Sequence, residues 1–177
     1  MSRRSISKVS LAVVLVTILT AQATIAQEET GVREFGISAA VQSGQLDLMF
    51  PIWTSPKFVT VPSVYFAKMS DIGTDLGFGL LLRLNLRDTK AVPYLGFRAA
   101  VFIYKPDAVP FEDDPETATD FLVGPAFGGE YFLDDHFSVG VEGQVNITLS
   151  DEDSFRFGNP DDVNINTATA IMATFYF

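Results

Sequence analysis

Four charged residues have the types and spacing that most need a chemical explanation. Each stands on the polar side of a segment in which polar and apolar residues alternate. Counted from the nearest tight turn, each lies about seven or eight residues along its segment, so all four should fall at one level. Two arginines and two carboxylates at one level can neutralise each other, whereas an unpaired charge in a confined interior is very costly. We therefore predict an ion-pair cluster formed by Asp47, Arg83, Arg98 and Glu142.

This predicted cluster has two interpretations. In the first, it is a static plug that fills the interior and fixes the register of the strands, and this is the one that we favour. In the second, the pairs rearrange and gate a narrow conduction path. Three further polar residues on the same faces are expected to be secondary polar residues of the lumen: Glu130, Gln144 and Asn146.

Catalytic chemistry has little support in the sequence. The chain has one histidine, His136, which follows Asp134 and Asp135 in a short polar turn. A histidine in such a turn is more often a solvated turn residue than a catalytic base, and no Ser/His/Asp arrangement can be argued around it. We expect no enzyme activity, no catalytic residue, no cofactor and no dedicated metal site.

The elements that must position the charges are strands with a period of two. In the segment 76–86 the even positions are all large and apolar, and in 137–149 the odd positions are mostly apolar while the even ones are mostly polar. The segment 58–68 is ambiguous, because both of its faces are mixed and Pro62 interrupts it. Eight strand segments result: 34–42, 46–52, 58–68, 76–86, 94–104, 120–133, 137–149 and 164–177.

The connections between these strands alternate in length. Short polar turns at 54–57, 87–91 and 134–136 separate the hairpins, and the remaining connections fall at 42–45, 70–74, 106–117 and 151–162. Short turns on one side and longer loops on the other, with an even strand number, are typical of a barrel in the outer membrane. The sequence therefore predicts an all-β fold, an eight-stranded antiparallel up-and-down transmembrane barrel.

The N-terminal residues predict export. A basic start, an apolar run from Leu11 to Leu19 and small residues up to Ala26 form the pattern of a secretory signal peptide. We expect residues 1–26 to be this signal, cleaved between Ala23 and Ala26, and residues 27–177 to be one barrel domain. The formal net charge of −10 argues against a nucleic-acid partner. The chain has no cysteine, so disulfides cannot stabilise the exported domain.

Alternation alone does not decide which face meets the core, because a secreted soluble binding barrel would have the same pattern with the faces reversed. Residue identity favours lipid outside. The polar faces combine glycines with paired charges, which suits a narrow interior. The apolar faces carry long aliphatic residues, with aromatic residues such as Trp53 and Phe137 near the strand ends, where a membrane barrel has its aromatic girdles.

Three stretches carry a resemblance to a known group, namely 93–96, 128–137 and the final residues 171–177. With the signal peptide, they make the chain similar to the small outer-membrane barrels of the OmpA, OmpX and OmpW type. The resemblance covers essentially the whole mature chain. It implies a location in the bacterial outer membrane and a C-terminal strand that the barrel-assembly machinery recognises. The residues of that assembly signal would be Ile171, Phe175 and Phe177.

The acid-rich loops are the part of the sequence from which binding partners could be predicted. One cluster extends from Glu112 to Glu116, another from Asp151 to Asp153, and Asp161 and Asp162 are close to the second. Such carboxylates can hold Ca²⁺ or Mg²⁺, but their spacing matches no dedicated loop, so we interpret them as solvated surface. We expect a monomer in contact with outer-membrane lipid and lipopolysaccharide. Its role would be structural or surface interaction, with a narrow pore or small-molecule channel as the alternative, and a soluble binder as the second.

Overall fold

The computed structural model of the protein describes residues 34–42, 45–107, 116–154, 156, 158 and 160–177. The expected signal peptide, 1–26, lies outside these residues and stays a prediction, as does the start of the mature domain at residue 27. Within the described residues, no helix is long and apolar enough to cross a membrane.

The alternating segments form strands, because extended backbone sends successive side chains to opposite faces. Every predicted segment contains a strand, and the ambiguous segment that carries Pro62 forms a full strand of 12 residues. The strands are β1 (Gly36–Gln42), β2 (Gln45–Met49), β3 (Ile52–Trp53), β4 (Phe58–Met69), β5 (Gly73–Asn85), β6 (Ala91–Pro106), β7 (Ala118–Phe132), β8 (Phe137–Leu149) and β9 (Val163–Tyr176).

The strands close into a barrel of antiparallel neighbours. β1 pairs with β9 as well as with β2, while β4 pairs with β5 on one side and with β2 and β3 on the other. β2 and β3 together occupy one strand position, so the ring has eight positions. The prediction of an eight-stranded up-and-down barrel is confirmed.

The break between β2 and β3 explains how β4 accommodates its proline. β4 pairs with β2 at Ser63 and Val64 and with β3 at Val59 and Thr60. Pro62 lies between these two stretches, opposite the break. Its missing N–H therefore removes no hydrogen bond from the ladder with β2 or β3. Its carbonyl oxygen still accepts a hydrogen bond from the N–H of Phe50, at 2.8 Å.

Side chains bond to the backbone at each of the three tight turns; at the turn between β5 and β6, the Thr89 hydroxyl donates to the carbonyl oxygen of Ala91. At one turn, the Ser55 hydroxyl accepts hydrogen bonds from the N–H groups of Lys57 and Phe58. At the turn between β7 and β8, the Asp134 carboxylate accepts hydrogen bonds from the N–H groups of His136 and Phe137, at 2.8 and 2.7 Å. These bonds hold the pKa of Asp134 below its usual value. We call this edge of the barrel the short-turn end, and the opposite edge the long-loop end. In outer-membrane barrels the short turns face the periplasm.

The two faces of the wall have the predicted directions. Large apolar side chains point outward and are exposed around the whole ring, among them Leu48, Phe66, Phe78, Phe97, Phe127, Val141 and Ile171, and we call this ring the apolar belt. Charged and amide side chains point into the lumen, where many are buried. A soluble protein would not expose so continuous an apolar surface, so the reversed-face alternative of a secreted soluble barrel is wrong.

Trp53 is a correction to the predicted aromatic girdle. It shares the inward direction of Asp47 and Met49, is only 8% exposed, and lies inside the barrel at the short-turn end. Phe58 and Phe137 do point outward. Trp53 points inward because the alternation of β2 continues into β3 across the break. Asp47, Met49 and Trp53 therefore share the face that meets the lumen.

Candidate functional site

The lumen near the short-turn end is organised around a buried ion pair. Arg83 on β5 and Glu130 on β7 approach to 3.3 Å between Nη1 and Oε2, with side chains only 2% and 5% exposed. The Arg83 guanidinium also lies over the ring of Tyr94, 4.5 Å from its centroid. Such a cation–π contact gives the arginine a second attractive partner where no water surrounds it.

Hydroxyl and amide groups donate hydrogen bonds to the two carboxylates in this region. Glu130 Oε1 accepts hydrogen bonds from Ser138 at 2.5 Å and from Tyr176 at 2.7 Å. Glu142 accepts from the Tyr94 hydroxyl at 2.9 Å and from the amide nitrogen of Gln144 at 2.8 Å. We call this network the plug; its members are Arg83, Tyr94, Glu130, Glu142 and Tyr176.

Aromatic rings close the lumen beneath the plug. Trp53, Phe132 and Tyr176 come from three different strands and have ring centroids 5.5 to 6.5 Å apart. All three are buried, and Val59, Val61 and Val92 belong to the same apolar cluster. The short-turn half of the lumen is therefore filled by side chains rather than by a water-filled path.

A small cavity lies above the plug. Its volume is about 10 Å³, which is room for roughly one water molecule. Arg98 borders it together with two carboxylates, Asp47 and Glu142. The Arg98 guanidinium is 3.4 Å from the side-chain oxygen of Gln42, and Asp47 accepts a hydrogen bond from Gln45 at 2.6 Å.

The four charges singled out in the sequence thus divide between two neighbouring sites. Asp47, Arg98 and Glu142 border the cavity, whereas Arg83 lies in the plug and pairs with Glu130. Glu142 belongs to both sites and joins them. Gln144 lines the cavity as well, and Asn146 is one step further toward the long-loop end, where it donates to Asn166 at 3.3 Å.

Sequence reasoning missed an arginine at the long-loop end. Arg156, in the connection between β8 and β9, reaches Asp75 on β5 and Asp120 on β7, and its guanidinium lies 4.9 Å from the centroid of Phe102. Ser154 and the N–H of Asp151 also donate to Asp120. The available signal was a single basic residue within an acid-rich loop that faces acids on two strands.

The other residues considered in the sequence lie outside the lumen or outside the described residues. Ile171, Phe175 and Phe177 point outward and are 64%, 48% and 65% exposed. The His136 ring contacts the backbone oxygen of Tyr176 at 3.1 Å and stacks on Phe175, in the turn where it was expected. The acidic stretch 111–115 lies outside the described residues.

Comparison with known proteins concerns the fold. No protein-family model and no curated protein sequence matches the chain. Among solved structures, Neisserial surface protein A matches with a TM-score of 0.52 and 13% identity, over 81% of this chain and 93% of that protein. Ail, the attachment invasion locus protein of Yersinia pestis, matches with a TM-score of 0.41 and 11% identity, over 80% of this chain and 92% of that protein.

The shared fold and the apolar belt lead to the same assignment. A closed barrel with an apolar outer surface and a polar interior is the arrangement that spans outer membranes, because closure leaves no strand edge unpaired in lipid. The chain is an eight-stranded β-barrel protein of the bacterial outer membrane.

Proposed function

We propose that the protein is a non-conducting barrel with a structural or surface-interaction role in the outer membrane. The observation that carries this proposal is the plug, in which Arg83 and Glu130 are almost fully buried between Tyr94 and Tyr176. A conduction path needs a continuous polar channel, and the aromatic layer around Trp53 and Phe132 occupies its short-turn half.

The long-loop end supplies the contact surface in this proposal. Exposed acids at this end include Asp71, Glu116, Glu152, Asp153 and Asp161. An acidic surface favours partners with basic patches, and it can share divalent cations with the phosphates of lipopolysaccharide. The apolar belt is the surface for membrane lipid.

Two further expectations belong to the proposal. The outward side chains of Ile171, Phe175 and Phe177 would serve as the signal by which the barrel-assembly machinery recognises the last strand. The protein would act as a monomer and would catalyse no reaction, since His136 is engaged with the turn and with the end of β9.

Electrical recording in planar lipid bilayers tests the proposal. Purified, folded protein should insert without producing steady channel openings, whereas a general porin in the same bilayers should conduct. Folding is checked by the migration of unboiled protein on gels. Steady openings that Arg83→Ala or Glu142→Ala abolishes would establish the alternative, a narrow pore gated by the lumen charges, and would refute the static plug.

A further inference from the structure

The lumen has two halves with different access to water. Toward the short-turn end, the lumen-facing side chains are buried in nearly every strand, as the plug and the aromatic layer show. Toward the long-loop end, many lumen-facing side chains are only half-buried. We call this upper space the vestibule; its wall includes Gln42, Asp47, Tyr65, Arg98, Asn166 and Ala168.

One strand of the vestibule wall carries buried side-chain oxygen atoms that have no partner among the described residues. Gln144, Asn146 and Thr148 follow each other along the inward face of β8, and each is at most 3% exposed. Gln144 Oε1, Asn146 Oδ1 and Thr148 Oγ1 are buried and accept no hydrogen bond from the residues that the structure describes. The two amide oxygens can only accept hydrogen bonds, so this part of the wall suits donors or cations.

The net charge of the lumen also favours a cation. Among the described lumen-facing side chains, three arginines face five carboxylates, a surplus of two negative charges. Arg83 is matched by Glu130 within the plug. Arg156 lies between two acids at the long-loop end, and Arg98 lies with Asp47 and Glu142 at the cavity.

We propose that the vestibule is a water-accessible site that admits small cations from outside the cell and holds them near Asp47 and Glu142. Surplus carboxylates within low-dielectric walls concentrate counter-ions and repel anions. Gln144, whose side-chain oxygen has no partner among the described residues, lines the cavity, and the plug closes the lumen below it. The site is thus open at one end only and requires no transport across the membrane. The proposal rests on the vestibule and not on the proposed surface role.

Single cysteines can map the vestibule, because the chain has none of its own. Asn166→Cys and Ala168→Cys place a thiol on the vestibule wall; Thr174→Cys places one in the buried short-turn half of the same strand, and Thr167→Cys one on the lipid side. In folded full-length protein, a water-soluble methanethiosulfonate should label the two vestibule variants. It should label Thr174→Cys and Thr167→Cys at least roughly tenfold more slowly, since neither meets water.

Charge preference is measured with two such reagents, one carrying trimethylammonium and one carrying sulfonate. Relative to a thiol in an exposed turn, at Pro56→Cys, Asn166→Cys should favour the cationic reagent by roughly tenfold, and Asp47→Asn should reduce that preference. Added sodium or ethylammonium chloride should slow the cationic reagent more than N-methylglucamine chloride at the same ionic strength. Slowing by both identifies a general cation site, and slowing by ethylammonium alone an amine site.

Several results would overturn the proposal. Vestibule thiols as unreactive as Thr174→Cys would show that the upper lumen is dry, and equal labelling by the two reagents would remove the cation preference. Failure of both small cations to compete would show that nothing is held. The bilayer recordings are independent, because a pore would make the proposed function fail while leaving vestibule labelling intact.

Discussion

At the scale of single residues, the pair of Arg83 and Glu130 dominates the interior. Both side chains are almost fully removed from water, so each depends on the other and on the hydroxyls around them. Breaking a buried ion pair by removing one partner leaves a charge without compensation, which costs more than the pair itself contributes.

We therefore expect Arg83→Met to destabilise the barrel by about 3–5 kcal/mol, because it leaves Glu130 uncompensated. Urea unfolding in lipid vesicles measures the free energy of unfolding. The double variant with Glu130→Gln is the matched control and should recover part of the loss, since both charges are then gone. An Arg83→Met protein as stable as the wild type would show that the pair does not hold the interior together.

Sequence reasoning placed these residues on the lumen side but did not specify their partners. Alternation fixes the face of a residue, and the count from a turn fixes its approximate height. Which charges meet across a closed ring depends on strand stagger and on rotamers, and neither is visible in a single sequence. Glu130 was accordingly expected as a secondary residue, although the structure makes it the direct partner of Arg83.

At the scale of elements, the contact between β7 and β8 is especially close at Gly124. The ladder between these strands lacks pairs at Gly124 and Pro125, although the register is the same on both sides of the gap. A Cβ atom on Gly124 would overlap the carbonyl oxygen of Val145, so only glycine permits this approach.

Gly124→Ala should therefore push the two strands apart and destabilise the barrel by about 1–3 kcal/mol. Gly129→Ala on the same strand is the matched control, because its Cβ would come no closer than 3.9 Å, to the oxygen of Val92. Urea unfolding midpoints in vesicles compare the two variants. Equal effects would contradict the close approach.

The sequence predicted the elements better than it predicted their irregularities. Strand positions followed from period-two alternation, and the tight turns followed from polar residues. The interruption of the second strand position at Phe50 and Pro51 was not foreseen, because the break is stabilised by hydrogen bonds to the neighbouring strands: Phe50 donates to Pro62 on β4, and Pro51 accepts from Gly36 on β1. Trp53 lies in the lumen because the alternation of Asp47 and Met49 continues across this break.

At the scale of the whole molecule, the apolar belt determines where the protein resides. Val141 and Leu149 both point outward from β8 and are both 52% exposed, but Val141 lies well within the strand whereas Leu149 lies at its long-loop end. A charge is costly in lipid at mid-depth and much less so near the interface.

Val141→Arg should thus cost about 2–4 kcal/mol of folding free energy in vesicles, and Leu149→Arg only about 0–1 kcal/mol. In detergent micelles the difference should shrink, since water penetrates closer to the surface. If both variants lost the same stability in vesicles, β8 would not cross the membrane at the depth assigned here.

The architecture as a whole was predictable because alternation, strand number and loop asymmetry can all be read from short stretches of the chain. The interior was less predictable, since the plug and the vestibule are formed by side chains from strands that come together only in the closed barrel. Arg156 illustrates the difference: its loop was recognised as acid-rich, but its contact with Asp75 on a distant strand required the closed ring.

The sealed short-turn half of the lumen is the central claim, and Trp53, the single tryptophan of the chain, reports on it directly. Trp53 is buried against Phe132 and Tyr176, inside the wall and away from both lipid and water. In folded protein reconstituted into vesicles, neither aqueous iodide nor brominated lipid should quench its fluorescence appreciably. Strong quenching by iodide would show that water reaches the plug, and strong quenching by brominated lipid would show that Trp53 faces outward; either result would contradict the sealed lumen.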